Sequence, residues 1–186
     1  IEEVTGYNDR LNWFTDETSF NLTDMTNNIS KFTSAGIDLS KATVQMMGIG
    51  NASSLAGSSI ENASHAMMGF SKAMAAGYMS RLQWNWIETA HMDTMEFKQT
   101  LIDAGVEAGK LVRVNGQLYA QGVKRTEENI VNAERMRETL SDKWLTKEVM
   151  EKALQVYGGF ANELGDLYDM LGSGKFYTTN DLLAFI

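Results

Sequence analysis

The sequence predicts a mostly α fold: a compact multi-helix domain of short helices carrying one small β-hairpin near residues 111–119. Three observations lead there. Apolar residues recur at three- and four-residue spacing along most of the chain, the period of a helix with one buried face. There is no proline, where average usage of about 5% would give roughly nine, so the 16 glycines must make the corners. Asn115-Gly116, the dipeptide that type I′ turns favour, lies between Leu111-Val112-Arg113-Val114 and Gln117-Leu118-Tyr119. Two regions are expected, a helical domain with the hairpin over 1–158 and additional short helices over 159–186.

The first helix is expected on Leu22, Met25, Ile29 and Phe32, with Gly36 just past its end. A second carries Leu39, Ala42, Met46, Ile49, Ser53 and Ala56 from an Asp38 N-cap to Gly57. Gly48 and Gly50 lie inside it and cost about 1 kcal/mol each against Ala, so a closely packed neighbour is expected there. Ser58-Ser59-Ile60-Glu61 reads as a capping box before Ile60, Ala63, Met67, Phe70 and Met74, and Gly77 stops that helix. Ser80-Arg81-Leu82-Gln83 offers another box before Trp84, Ile87 and Ala90. Asp93-Thr94-Met95-Glu96 opens a helix through Phe97, Leu101 and Ile102 to Gly109. After the hairpin, Asn132 caps Met136 and Leu140, and Thr146 caps Val149, Met150, Ala153, Leu154 and Tyr157 up to Gly158 and Gly159. Phe160 to Leu171 and Asn180 to Ile186 read as two short helices across Gly172-Ser173-Gly174, the last one truncated.

Hydrophobic residues at 44% and charged residues at 22% are globular proportions. The absence of cysteine removes a disulfide framework, a thiolate metal site and a cysteine nucleophile, and makes an intracellular origin the expectation. The opening Ile1-Glu2-Glu3 has no initiator Met, basic n-region or apolar h-region, so an internal fragment without a signal peptide is expected. Polar residues and glycines break every apolar run, Ala66 to Met79 included, before the ~18 residues of a membrane helix, and no membrane insertion is expected. A net charge of −8, with 16 basic residues scattered among 24 acidic ones, opposes direct nucleic-acid binding.

Catalytic constellations are scarce. His65 and His91 are the only histidines, and neither has a second ligand one turn away. Gly172-Ser173-Gly174-Lys175 lacks both the leading glycine and the Ser or Thr of a phosphate loop, since Asp169 and Phe176 stand there. Gly48-Ile49-Gly50 lacks a preceding strand and a third glycine. Asn21, Asn28, Asn51 and Asn62 each open an Asn-x-Ser/Thr triplet, read as chance polar helix faces and caps. Glu127-Glu128 reads as a solvated helix start. No catalytic, cofactor-binding or metal-binding residue is assigned. The most informative stretch is Leu82-Gln83-Trp84-Asn85-Trp86-Ile87. Its plainer reading has one indole in the core and the other over a helix junction. The sharper reading is a partner surface of Trp84, Trp86, Met92 and Phe97, in keeping with the twelve methionines and the enrichment of Met and aromatic residues at interfaces.

From Gly6 to about Gly158 the order of short motifs resembles the tape measure proteins of long-tailed bacteriophages and prophages. The stretches are Leu22-Thr23-Asp24-Met25-Thr26-Asn27-Asn28, Phe32-Thr33-Ser34-Ala35-Gly36, Gly48-Ile49-Gly50-Asn51-Ala52-Ser53 and Phe70-Ser71-Lys72-Ala73-Met74-Ala75-Ala76-Gly77. They continue through Leu82-Gln83-Trp84, Thr94-Met95-Glu96-Phe97-Lys98, Ala108-Gly109 and Arg137-Glu138-Thr139-Leu140-Ser141-Asp142-Lys143-Trp144-Leu145-Thr146. The resemblance implies a structural virion or assembly protein that sets tail length, helps the tail tube polymerise and leaves during genome ejection. It implies tail tube proteins, tail tip proteins, tail assembly chaperones and further copies of the chain as partners. It places the protein in the virion tail lumen, and in the bacterial cytoplasm during assembly, and it supplies no cofactor and no catalytic residue. A ruler works by contour length, and this chain as one helix would span ~280 Å at 1.5 Å per residue. The caps and glycines oppose that form, so a compact module attached to a ruler is the expectation.

Overall fold

Four helices in this chain end by the same device. The computed structural model describes residues 22–158, with Gly6, Asp9, Leu11 and Asn12 before them. In order come α1 (Leu22–Ser34), α2 (Leu39–Leu55), α3 (Ile60–Ala76), α4 (Arg81–Thr89) and α5 (Met95–Glu107). At the end of α1 the Gly36 N–H donates to Thr33 O at 3.0 Å and the Ile37 N–H to Phe32 O at 3.2 Å, a Schellman closure. The same pair of bonds closes α2 at Gly57, α5 at Gly109 and α4 at His91, which adopts φ +56° where the other three helices have glycine. Lys147 Nζ adds a bond to Ala35 O at 2.9 Å, a cation on the carbonyl end of α1.

At their starts the helices follow local chemistry, with one register correction. Thr94 Oγ1 accepts the Phe97 N–H at 3.2 Å, and the Ser80 N–H donates to Gln83 Oε1 at 3.1 Å, the reciprocal half of a capping box. The box expected from Ser58 and Glu61 does not form. Ser59 is the N-cap, accepting the Asn62 N–H at 3.2 Å, while the Ser58 hydroxyl donates across to Ala90 O. Asp38 occupies the N-cap of α2 without accepting a side-chain bond.

α2 is the central helix. Its buried residues include Thr43, Gln45, Met47, Gly48 and Ala52 as well as Ala42, Met46, Ile49 and Ser53 of the stripe read from spacing, so it is covered on several sides. The neighbour demanded by its interior glycine is α7 (147–158). A Cβ on Gly48 would collide with the Leu154 carbonyl oxygen, and one on Gly158 with the Val44 carbonyl oxygen, so the two backbones touch where both side chains are absent. Asn51 Nδ2 bonds Tyr157 O at 3.0 Å at the same crossing.

The hairpin forms as β1 (Leu111–Val114) and β2 (Gln117–Ala120), with Val114 opposite Gln117 and positive φ at both Asn115 and Gly116. A third strand, β3 (Ile130–Val131), pairs antiparallel with β2 and completes a sheet of order β1-β2-β3. Then come a short helix α6 (Met136–Thr139) and a 3₁₀ turn (Leu140–Asp142). Residues 77–79 also pair with 145–147, through Met79 N–H to Leu145 O and Lys147 N–H to Gly77 O, each 2.8 Å. One core runs through these elements, filled by Trp84, Trp144, Phe32 and Phe70 and by methionines such as Met25, Met46, Met67 and Met74. The fold is therefore mostly α with a small three-stranded antiparallel sheet. The region 159–186, with its two expected helices and the Gly172-Ser173-Gly174 break, lies outside the described residues.

Candidate functional site

The tryptophan-bearing helix α4 is held in place from two sides. Arg137 pairs with Glu88 and donates to Asn85 Oδ1 at 2.8 Å, and Arg81 Nη2 donates to Glu138 O at 2.7 Å, so α4 is tied to the segment around α6. Its other face lies on α3 at Gly69, where an added Cβ would stand 2.8 Å from Trp86 Cβ. A small residue on α3 thus lets α4 approach closely.

That packing divides the expected partner surface. Trp84, Met92 and Phe97 are 1%, 0% and 2% exposed, so three of its four members are core residues that a partner cannot reach on the folded chain. Phe97 stacks edge-on against Phe70 at 6.1 Å and tilts against Tyr157 at 5.6 Å. Trp86 covers the α3–α4 junction, half-buried, with His65 edge-to-face at 5.6 Å and Lys72 Nζ 4.9 Å above the ring. One indole in the core and one over a junction is the plainer of the two readings. Leu82 is 69% exposed, one helical turn from Trp86. The apolar surface that α4 presents to solvent is Leu82 and the outer part of Trp86, among the exposed polar residues Arg81, Asn85 and Thr89.

The remaining candidates resolve into structural roles. His91 is a helix terminator, and His65 packs on Trp86 with a buried Nδ1 that has no partner among the described residues. Among the described residues no three His, Asp or Glu side chains gather into a metal-sized group. Asn28 is 6% exposed and bonds Asp24 O at 2.9 Å, so this acceptor triplet is closed in the folded chain. Glu127 and Glu128 are exposed in a 3₁₀ turn, and their carbonyl oxygens receive the Arg135 guanidinium at 2.7 and 3.1 Å. Gly48-Ile49-Gly50 lies inside α2 against α7, while Asn21 and Gly172 to Lys175 lie outside the described residues. No described helix is long and apolar enough to cross a membrane.

Spacing missed a groove of about 440 Å³ between α1 and α3, lined by Ser30, Lys31, Ser34, Met68, Ser71, Lys72 and Ala75. Its signal was present as small residues at four-residue spacing, Ser30 with Ser34 and Ser71 with Ala75, beside the apolar stripes of their helices. No family model, curated protein or solved structure matches the chain.

Proposed function

We propose that the chain is a non-enzymatic structural module of a phage tail tape measure protein, acting in tail assembly and tail length determination. One observation carries this reading beyond motif order. The stretches that bear the resemblance supply the largest core side chains, Phe32, Phe70, Trp84, Phe97 and Trp144 among them. Motifs spent on packing specify a shape, and a shape is what an assembly module contributes. Tail tube and tip proteins and assembly chaperones are the partners this role calls for.

Mass spectrometry of particles purified after induction of the parent phage or prophage tests it. Peptides of this chain should be present in filled tails and depleted after genome ejection. Their absence from filled tails, or reproducible clearing of cell-wall material by the purified chain in a zymogram, would overturn the reading in favour of an unrelated helical adaptor or a lytic accessory domain.

A further inference from the structure

The groove between α1 and α3 has a floor and a rim of different chemistry. On its floor the three serine hydroxyls are turned back onto their own helices. Ser30 Oγ donates to Thr26 O at 3.2 Å, Ser34 Oγ to Ser30 O at 2.8 Å and Ser71 Oγ to Met67 O at 2.8 Å. With their protons committed, these serines present small, low walls beside Ala75 and the Met68 thioether. Charge sits at the sides, Lys31 from α1 and Lys72 from α3. Lys31 Nζ rests 3.4 Å from Asn28 Oδ1 and 3.5 Å from Met68 Sδ, and Lys72 Nζ lies over Trp86. Neither meets a carboxylate among the described residues, in a chain of net charge −8.

Two ammonium groups that meet no carboxylate among the described residues, beside a shallow trough of small residues, define what would complement it. A free anion could meet the two ammonium groups but would leave the trough of small residues uncovered. A helix brings both parts. Its small apolar side chains can lie on Ser30, Ser34, Ser71 and Ala75, as small residues let helices approach closely, and its flanking carboxylates can meet Lys31 and Lys72. We propose that the α1–α3 groove docks an acidic amphipathic helix of a partner protein. The inference stands on the groove alone and is independent of the tape measure reading.

The test is a titration of the isotopically labelled chain, followed by amide resonances, with two synthetic helical peptides. One has an alanine stripe flanked by glutamates, and the other has lysines in their place. The acidic peptide should shift Ser30, Ser34, Ser71 and Ala75 and lose affinity as salt is raised. K31E/K72E should weaken it roughly tenfold or more and bind the lysine peptide instead, because two surface ion pairs of modest strength become repulsions. S34L keeps both charges but fills the floor, and it should abolish the shifts while circular dichroism stays unchanged. The proposal is overturned if the acidic peptide leaves those resonances unmoved or if both peptides bind alike. It is equally overturned if inorganic phosphate alone reproduces the shifts, or if sedimentation shows a peptide-free dimer that K31E/K72E dissolves, which would assign the groove to a second copy.

Discussion

His91 holds a left-handed backbone that its three counterparts, Gly36, Gly57 and Gly109, adopt without a Cβ penalty. Its side chain is exposed. His91→Gly should therefore raise unfolding stability by about 0.5–1 kcal/mol, the relief of left-handed strain outweighing the added freedom of the unfolded chain, read as a higher urea midpoint at unchanged slope. Gln45 is a second residue whose environment works against it. It is 0% exposed, and both its amide oxygen and its amide nitrogen lack partners among the described residues. Gln45→Met keeps the length and removes the buried orphan groups, so thermal melts should show a gain of about 1–3 kcal/mol; a loss would mean the amide is satisfied by ordered water. Glycine stops were legible because a C′ glycine announces itself. His91 was not, since nothing in its type advertises φ +56°. Likewise Ser58 and Ser59 are equivalent in sequence, and only the reach of Ser58 to Ala90 O, 32 positions away, decides which one caps α3.

Helix existence follows from period, but the face each helix buries is set by its neighbours. Phe97 and Trp84 can be read as interface or as core, the plainer reading, until Phe70, Tyr157 and α3 are placed around them. Leu82 shows the reverse, a large apolar residue of the same helix as Trp84 that stays 69% exposed. β3 is two residues long, too short for any alternation signal, and it exists because β2 offers an edge to pair with. At the α2–α7 crossing, propensity and packing make opposite predictions. Gly48→Ala improves helix propensity by about 1 kcal/mol, yet its methyl would meet backbone atoms of Leu154 that cannot rotate away. Packing should win, with a net loss of about 1–3 kcal/mol in chemical denaturation. In the short α6 region, Trp144 Nε1–H donates to Thr139 Oγ1 at 3.1 Å with both residues buried. Thr139→Val keeps the volume and orphans the indole, so it should cost about 1–3 kcal/mol by the same measurement.

At the scale of the whole molecule, the proposed tape measure role has this region act as a folded module, with contour length measured elsewhere. α4 connects the parts. It packs on α3 through Gly69, ties to α6 through Arg137 and Arg81, and buries Trp84 and Ile87 in the common core. Burial of each large side chain is worth roughly 1.5–3 kcal/mol, against a total margin of about 5–15 kcal/mol for a domain. Removing α4 also uncovers the α3 face beneath Trp86, so the remainder should not hold its fold. The most direct measurement is tail length by electron microscopy in the parent phage after deletion of Ser80 to Met92. A module predicts tails that are absent or irregular in length. Uniform, otherwise normal tails shortened by about 20 Å, at ~1.5 Å of helix per residue removed, would contradict it and make this region part of the ruler.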